Sequence, residues 1–186
     1  MGNIEILRSK LENKTPINIL NNFDIKEVPI DIRTIITRYL DIDIDETLNW
    51  DKLALDGSVY LKNGYPEIWI NKTMPETRQN FTLAHELGHI VNDILPNIEK
   101  YDMPINDNYE TLYRGKISNT MEIKANNFAA QILMPSIFIN KEAKKLIQAD
   151  DFNELTIKQV IQRMADRFRV SYDAMKWRLI NLGYAR

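Results

Sequence analysis

The sequence predicts an α+β fold, a small antiparallel hairpin packed among helices, and three observations carry that expectation. Apolar residues recur at helical spacing near both ends and in the middle of the chain. Between residues 53 and 71 the pattern changes to two short strand-like runs around a turn. The 186 residues, 44% hydrophobic and 27% charged, can bury a core without disulfides. One unit spanning 1–186 is therefore expected, with a helical segment over 1–50, a mixed core over 51–135 and a helical region over 136–186.

Ile4, Leu7 and Leu11, then Ile32, Ile35, Ile36 and Tyr39, predict two amino-terminal helices. The stretch Thr15 to Pro29 between them is rich in turn-formers and reads as a connection. The acidic run Asp41 to Glu46 lacks the glycine and closing glutamate of a calcium loop at their required offsets, so it reads as a solvated segment. Ser58 to Leu61 and Glu67 to Asn71 flank the turn signal Lys62-Asn63-Gly64-Tyr65-Pro66, which predicts the hairpin. Thr73 and Glu76, with Pro75 between them, read as a capping box opening a helix that runs through Val91 towards Pro96.

A polar connection from about 97 to 118 follows, long for a loop and holding Tyr101, Tyr109, Tyr113 and Arg114. A strongly apolar helix is expected from about Thr120 to Met134, closed by Pro135. Three short helices fill the remainder, with Ser171 capping the last and Gly183 ending it.

Composition narrows the chemistry. The chain has no cysteine, so thiolate metal sites, disulfides and cysteine nucleophiles are excluded. A formal charge of −2 gives no basic excess for phosphate-driven binding, so nucleic acid is not the expected partner. No run approaches the roughly 18 apolar residues of a membrane span. The amino terminus lacks the pattern of a signal peptide or myristoylation site, and a cytoplasmic protein is expected.

Both histidines of the chain lie in His85-Glu86-Leu87-Gly88-His89, an H-E-x-x-H pattern inside a predicted helix. Residues i and i+4 share a helical face, so both imidazoles can converge on one Zn²⁺, with the Glu between them placed as general base. Two histidines scattered at random fall four apart roughly 1% of the time, and with Glu next the coincidence drops to roughly one chain in 1,500. Gly88 costs the helix roughly 1 kcal/mol against Ala, which suits a place where another backbone comes close.

A catalytic zinc normally takes three protein ligands, and without further His or Cys the third must be a carboxylate. Glu122 is the candidate, opening a helix whose Ala125, Ala129 and Ala130 form a small-residue face. Asn126, one turn on, is placed to hydrogen-bond a ligand. Two alternatives stay open on the residues alone: Asn119 and Glu122 also form a capping box, and Glu110 is a second carboxylate.

The blocks Phe81 to His89 and Glu122 to Pro135 resemble the paired signature of the ImmA/IrrE family of zinc metallopeptidases. Met164 to Met175, Arg178-Leu179 and Leu182-Gly183 resemble that family's ending, so the likeness spans about 53–183. The resemblance implies a zincin-like metallopeptidase domain with His85, His89 and Glu122 on zinc and Glu86 as general base. It also implies a function. Members are typically bacterial or phage proteins that cleave or otherwise inactivate a helix-turn-helix repressor, derepressing stress-response or mobile-element genes.

Three further expectations accompany it. An oxyanion donor must be a group other than imidazole, and Tyr109 and Tyr113 are the candidates. The strand Ile68-Trp69-Ile70 is a candidate edge for an extended substrate. The carboxyl-terminal basic residues around Val170-Ser171 resemble a helix-turn-helix, the basis of a rival DNA-binding reading that the apolar face at Val160, Met164 and Phe168 speaks against. The other rivals are a zinc-binding anti-repressor that does not cut and a toxin–antitoxin component.

Overall fold

The computed structural model describes residues 3–52, 54–98 and 119–184. Helix α1, Ile4–Leu11, is capped by Asn3, whose side chain accepts from the amides of Glu5 and Ile6, and it buries Leu7 and Leu11. Helix α2, Pro16–Asn22, occupies the stretch expected to be a connection. Thr15 and Asn18 cap it reciprocally and Pro16 starts it. An Asn in the third helical position does the work of the usual Glu or Gln, which hid the signal.

Helix α3, Ile32–Thr34, widens into a π turn over Ile35–Tyr39. The acidic run then holds strand β1, Asp43–Asp45, which the sequence reading missed. It is three residues long, with Ile42 buried and Ile44 half-buried on the inner side. Strands β2, Gly57–Lys62, and β3, Tyr65–Ile70, form the expected hairpin. Asn63 and Gly64 both take positive φ, 52° and 74°, the two-residue type I′ turn that Asn-Gly favours.

The sheet order is β1-β3-β2, with β1 parallel and β2 antiparallel to β3. This corrects one expectation. Ile68 and Trp69 lie on the central strand, paired on both sides, and Ile70 ends that strand paired with Gly57, so the run is not an edge strand; the outer strand of the hairpin is β2. Central placement also explains why Pro66 to Ile70 are all buried, with the Trp69 indole donating to the Thr47 carbonyl at 2.9 Å.

Helix α4, Glu76–His89, continues through a π turn over Ile90–Ile94 and a 3₁₀ turn over Leu95–Asn97. Its start corrects the expected capping box. Pro75 is the N-cap, and Thr73 is held instead by the Asn71 side chain, which accepts from both its amide and its hydroxyl. Helix α5, Asn119–Leu133, packs along α4. Helices α6, Ser136–Ile147, α7, Ile157–Phe168, and α8, Tyr172–Asn181, complete the described chain. Ser171 caps α8 as expected, and Gly183 follows it at φ 81°.

The α7–α8 pair buries Ile161, Met164, Ala165 and Phe168 from one helix and Met175 and Leu179 from the other. Two arginines of α7 are paired within the molecule: Arg163 with Asp151 and Arg167 with Glu142. Among the described residues no helix is long and apolar enough to cross a membrane.

Glu142, 8% exposed, accepts from Lys145 at 2.6 Å and from Arg167 at 2.8 Å. Burial acts to raise its pKa, but these two cations outweigh it and hold the carboxyl below its usual range. A depressed folded-state pKa contributes stability that is present above the unfolded value and lost as pH falls through the folded one. Glu142→Gln is therefore expected to cost about 1 kcal/mol at neutral pH. In denaturant melts the gap to wild type should stay constant down to about pH 5 and close below about pH 4.

Candidate metal centre

Three donor groups meet at the middle of the α4–α5 contact. His85 Nε2 and His89 Nε2 lie 3.0 Å apart, and the two Glu122 oxygens stand 3.3 Å from one and 3.3 Å from the other. The histidines come together because they are one turn apart on α4, and Glu122 joins them from the first turn of α5.

Each imidazole is oriented from behind. His89 Nδ1 faces Asp93 Oδ2 at 2.8 Å, and His85 Nδ1 faces Asn126 Oδ1 at 3.0 Å. Both partners are acceptors, so both Nδ1 atoms carry the proton, and in neutral rings both Nε2 atoms present lone pairs to the same point. Two lone pairs and a carboxylate facing one another repel unless a cation lies between them. A tetrahedral site with metal–donor lengths of about 2.0–2.1 Å has edges of about 3.3 Å, close to the spacings here. The donor set thus fits a divalent metal in chemistry and in size.

The ring pair is electrically asymmetric. Burial, and then the charge of His89, push the pKa of His85 down. For His89 burial acts in the same sense, but the Asp93 hydrogen bond and the charges of Glu86 and Glu122 outweigh it and push the pKa up. Glu86, only 6% exposed, is pushed up to about 7, first by burial and then by the nearby Glu122 charge. Among the described residues its buried Oε2 has no hydrogen-bond partner. A carboxylate so placed is poised to exchange a proton near neutral pH.

These groups line a cavity of about 520 Å³ whose opposite wall is the start of β2, Gly57 and Ser58. Gly57 is required there. A Cβ on it would stand 2.5 Å from the Thr82 methyl and 3.3 Å from Glu86 Oε1, crowding the carboxylate. Gly88 has the role its place in the helix suggested. A Cβ there would lie 3.0 Å from Ala125 Cα, 3.1 Å from Ala125 O and 3.2 Å from Phe128 Cβ, so its absence lets the α5 backbone approach.

The structure therefore brings together His85, Glu86, His89, Glu122 and Asn126. Tyr109 and Tyr113, the oxyanion candidates, lie outside the described residues, as do Glu110 and Arg114. Asp93 was missed, although its signal was present: an acid four residues beyond His89 on a continuing helix. Gly57 left no such signal, since a glycine at a strand start has many ordinary explanations.

A family model described as IrrE N-terminal-like domain, of the M78 peptidases, matches residues 31–179. No curated protein matches the chain.

Gly88→Ala separates packing from helix propensity. The substitution gains about 1 kcal/mol of propensity and loses a similar amount as α5 is pushed away. Stability in a denaturant melt is expected to change by less than about 1 kcal/mol. Metal affinity, read by chelator competition, should fall at least about ten-fold because Glu122 moves with α5. Asp93→Ala is expected to weaken metal affinity by about 10–100-fold in the same assay, with Glu122 undisturbed.

Proposed function

Because the chain belongs to the M78 peptidase family, with an IrrE N-terminal-like domain over residues 31–179, we propose that it is a zinc-dependent metalloendopeptidase acting on a protein substrate in the cytoplasm. The observation that carries this reading is the convergence of the His85, His89 and Glu122 donors in one cavity with a buried carboxylate, Glu86. His85, His89 and Glu122 would hold the ion. Bound there, zinc supplies Lewis acidity towards a peptide carbonyl and towards water.

Glu86 performs the proton work. Its buried Oε2 takes the proton from the attacking water and returns it to the amine that leaves, so the carboxyl ends the cycle as it began. Its burial, with Gly57 close to its other oxygen, limits the access of bulk water that would compete for that proton. Asn126 and Asp93 hold the imidazoles in the tautomer that carries its proton on Nδ1 and leaves Nε2 unprotonated. The outer strand β2, with Gly57 and Ser58 at the cavity, is the edge available for an extended polypeptide.

The substrate class follows from the family likeness: a helix-turn-helix transcriptional repressor, whose cleavage derepresses the genes it holds silent. The α7 arginines already paired with Asp151 and Glu142 favour this over direct DNA binding. Glu86→Gln decides between cutting and mere capture. The variant is expected to retain zinc one-to-one by metal analysis and to lose at least about 10³-fold in cleavage of a repressor encoded beside the gene. Repressor inactivation that survives in the zinc-loaded variant would overturn the proteolytic reading. Glu122→Ala should lose zinc on dialysis.

A further inference from the structure

The cavity at the donor cluster continues beyond it. A second cavity of about 460 Å³ lies between α4, α5 and α8 and shares Asp56, Arg78, Phe81, Thr82 and Asn126 with the first. α8 presents one helical face to it through Ala174, Trp177, Arg178 and Asn181. Trp177 is 62% exposed, and Phe81 and Ala130 across the groove are only half-buried, so the walls carry apolar surface that nothing described covers.

Arg178 is the unusual member. Its Nε donates to the Met134 carbonyl at 2.9 Å, which fixes the guanidinium by one nitrogen. Among the described residues no carboxylate pairs with it, whereas Arg78 on the same groove is neutralised by Asp56 at 2.7 Å. Half-burial disfavours its charge without any opposing acid to offset it. A guanidinium held at Nε and open at both terminal nitrogens is the fork that grips a carboxylate in two parallel hydrogen bonds.

We propose that this groove is a specificity subsite for the substrate polypeptide, in which Arg178 pairs with an acidic residue and Trp177 and Phe81 receive an apolar neighbour. The assignment rests on the reading of the chain as a peptidase, and charge complementarity selects the occupant. The shared wall at Thr82 and Asn126 makes the groove continuous with the cavity where the bond would be cut, so one extended chain spans both.

The test pans a displayed library of random dodecapeptides on zinc-loaded Glu86→Gln protein, in parallel with the same protein carrying Arg178→Glu. The first selection is expected to enrich Asp or Glu beside an aromatic or branched aliphatic residue, and the second to place Lys or Arg there instead. Since Arg178 also supports the Met134 carbonyl, Asn181→Glu provides a second variant. That exposed position, one turn along α8, sets an internal carboxylate beside the guanidinium and leaves the backbone bond alone. It should weaken binding of the selected acidic peptide at least ten-fold. No enrichment, no acidic preference, or a preference unchanged by either variant would overturn the subsite. Cleavage of the selected peptides by wild-type protein is read separately. Peptides selected for their acid yet never cut defeat the peptidase reading while the groove stands, and peptides cut without acidic preference do the reverse.

Discussion

Two helix backbones meet at Gly88 without a side chain between them, and the candidate centre depends on that contact. α4 alone supplies both imidazoles, the buried Glu86 and, through its π continuation, Asp93. The third donor has to come from another element. Glu122 has a short reach, so α5 must run close, and the Ala125 Cα lies only 3.0 Å from where a Cβ on residue 88 would stand. The small Ala125 and Ala129, both fully buried, complete the contact on the α5 side. A glycine that weakens the helix locally thus fixes the spacing between two helices. Beside Glu86 Gly57 does the equivalent for the sheet, since a Cβ there would stand 2.5 Å from the Thr82 methyl and 3.3 Å from Glu86 Oε1.

What could be read from the sequence follows the range of the interactions. The His pair and Glu86 were legible because one helical turn sets their geometry, and the hairpin because Asn63-Gly64 encodes its turn in two residues. Glu122 stood open against a capping role until the family likeness was weighed, since nothing local says which helix face meets α4. Asp93 was within local reach and was passed over. The short elements were lost for a different reason. β1 is three residues long and α2 seven, and both are stabilised by what they pack on more than by their own pattern. Whether Ile68-Trp69-Ile70 sits at an edge or in the centre is a matter of topology, and the missed β1 is what turned one into the other. Thr73 was legible as a cap former, but Asn71 captured it first.

The near-neutral composition conceals an uneven use of charge. In α7 the arginines that gave the carboxyl-terminal region its basic look are absorbed by Asp151 and Glu142, and they fasten helices to one another. Arg169 reaches Glu76 at the start of α4 at 3.7 Å, an exposed pair of little energetic weight.

The unbroken run of α4 also acts as a ruler. Arg78, which lines both cavities, and His85 stand seven residues apart on one rigid helix. At about 1.5 Å per residue that is a rise of about 10 Å. An extended chain covers the same distance in about three residues. The helix therefore converts a position along the groove into a count of residues from the reacting bond, and it does so without hinges, because nothing between Glu76 and His89 interrupts it. A polypeptide laid along it would be registered by length before any of its side chains is recognised.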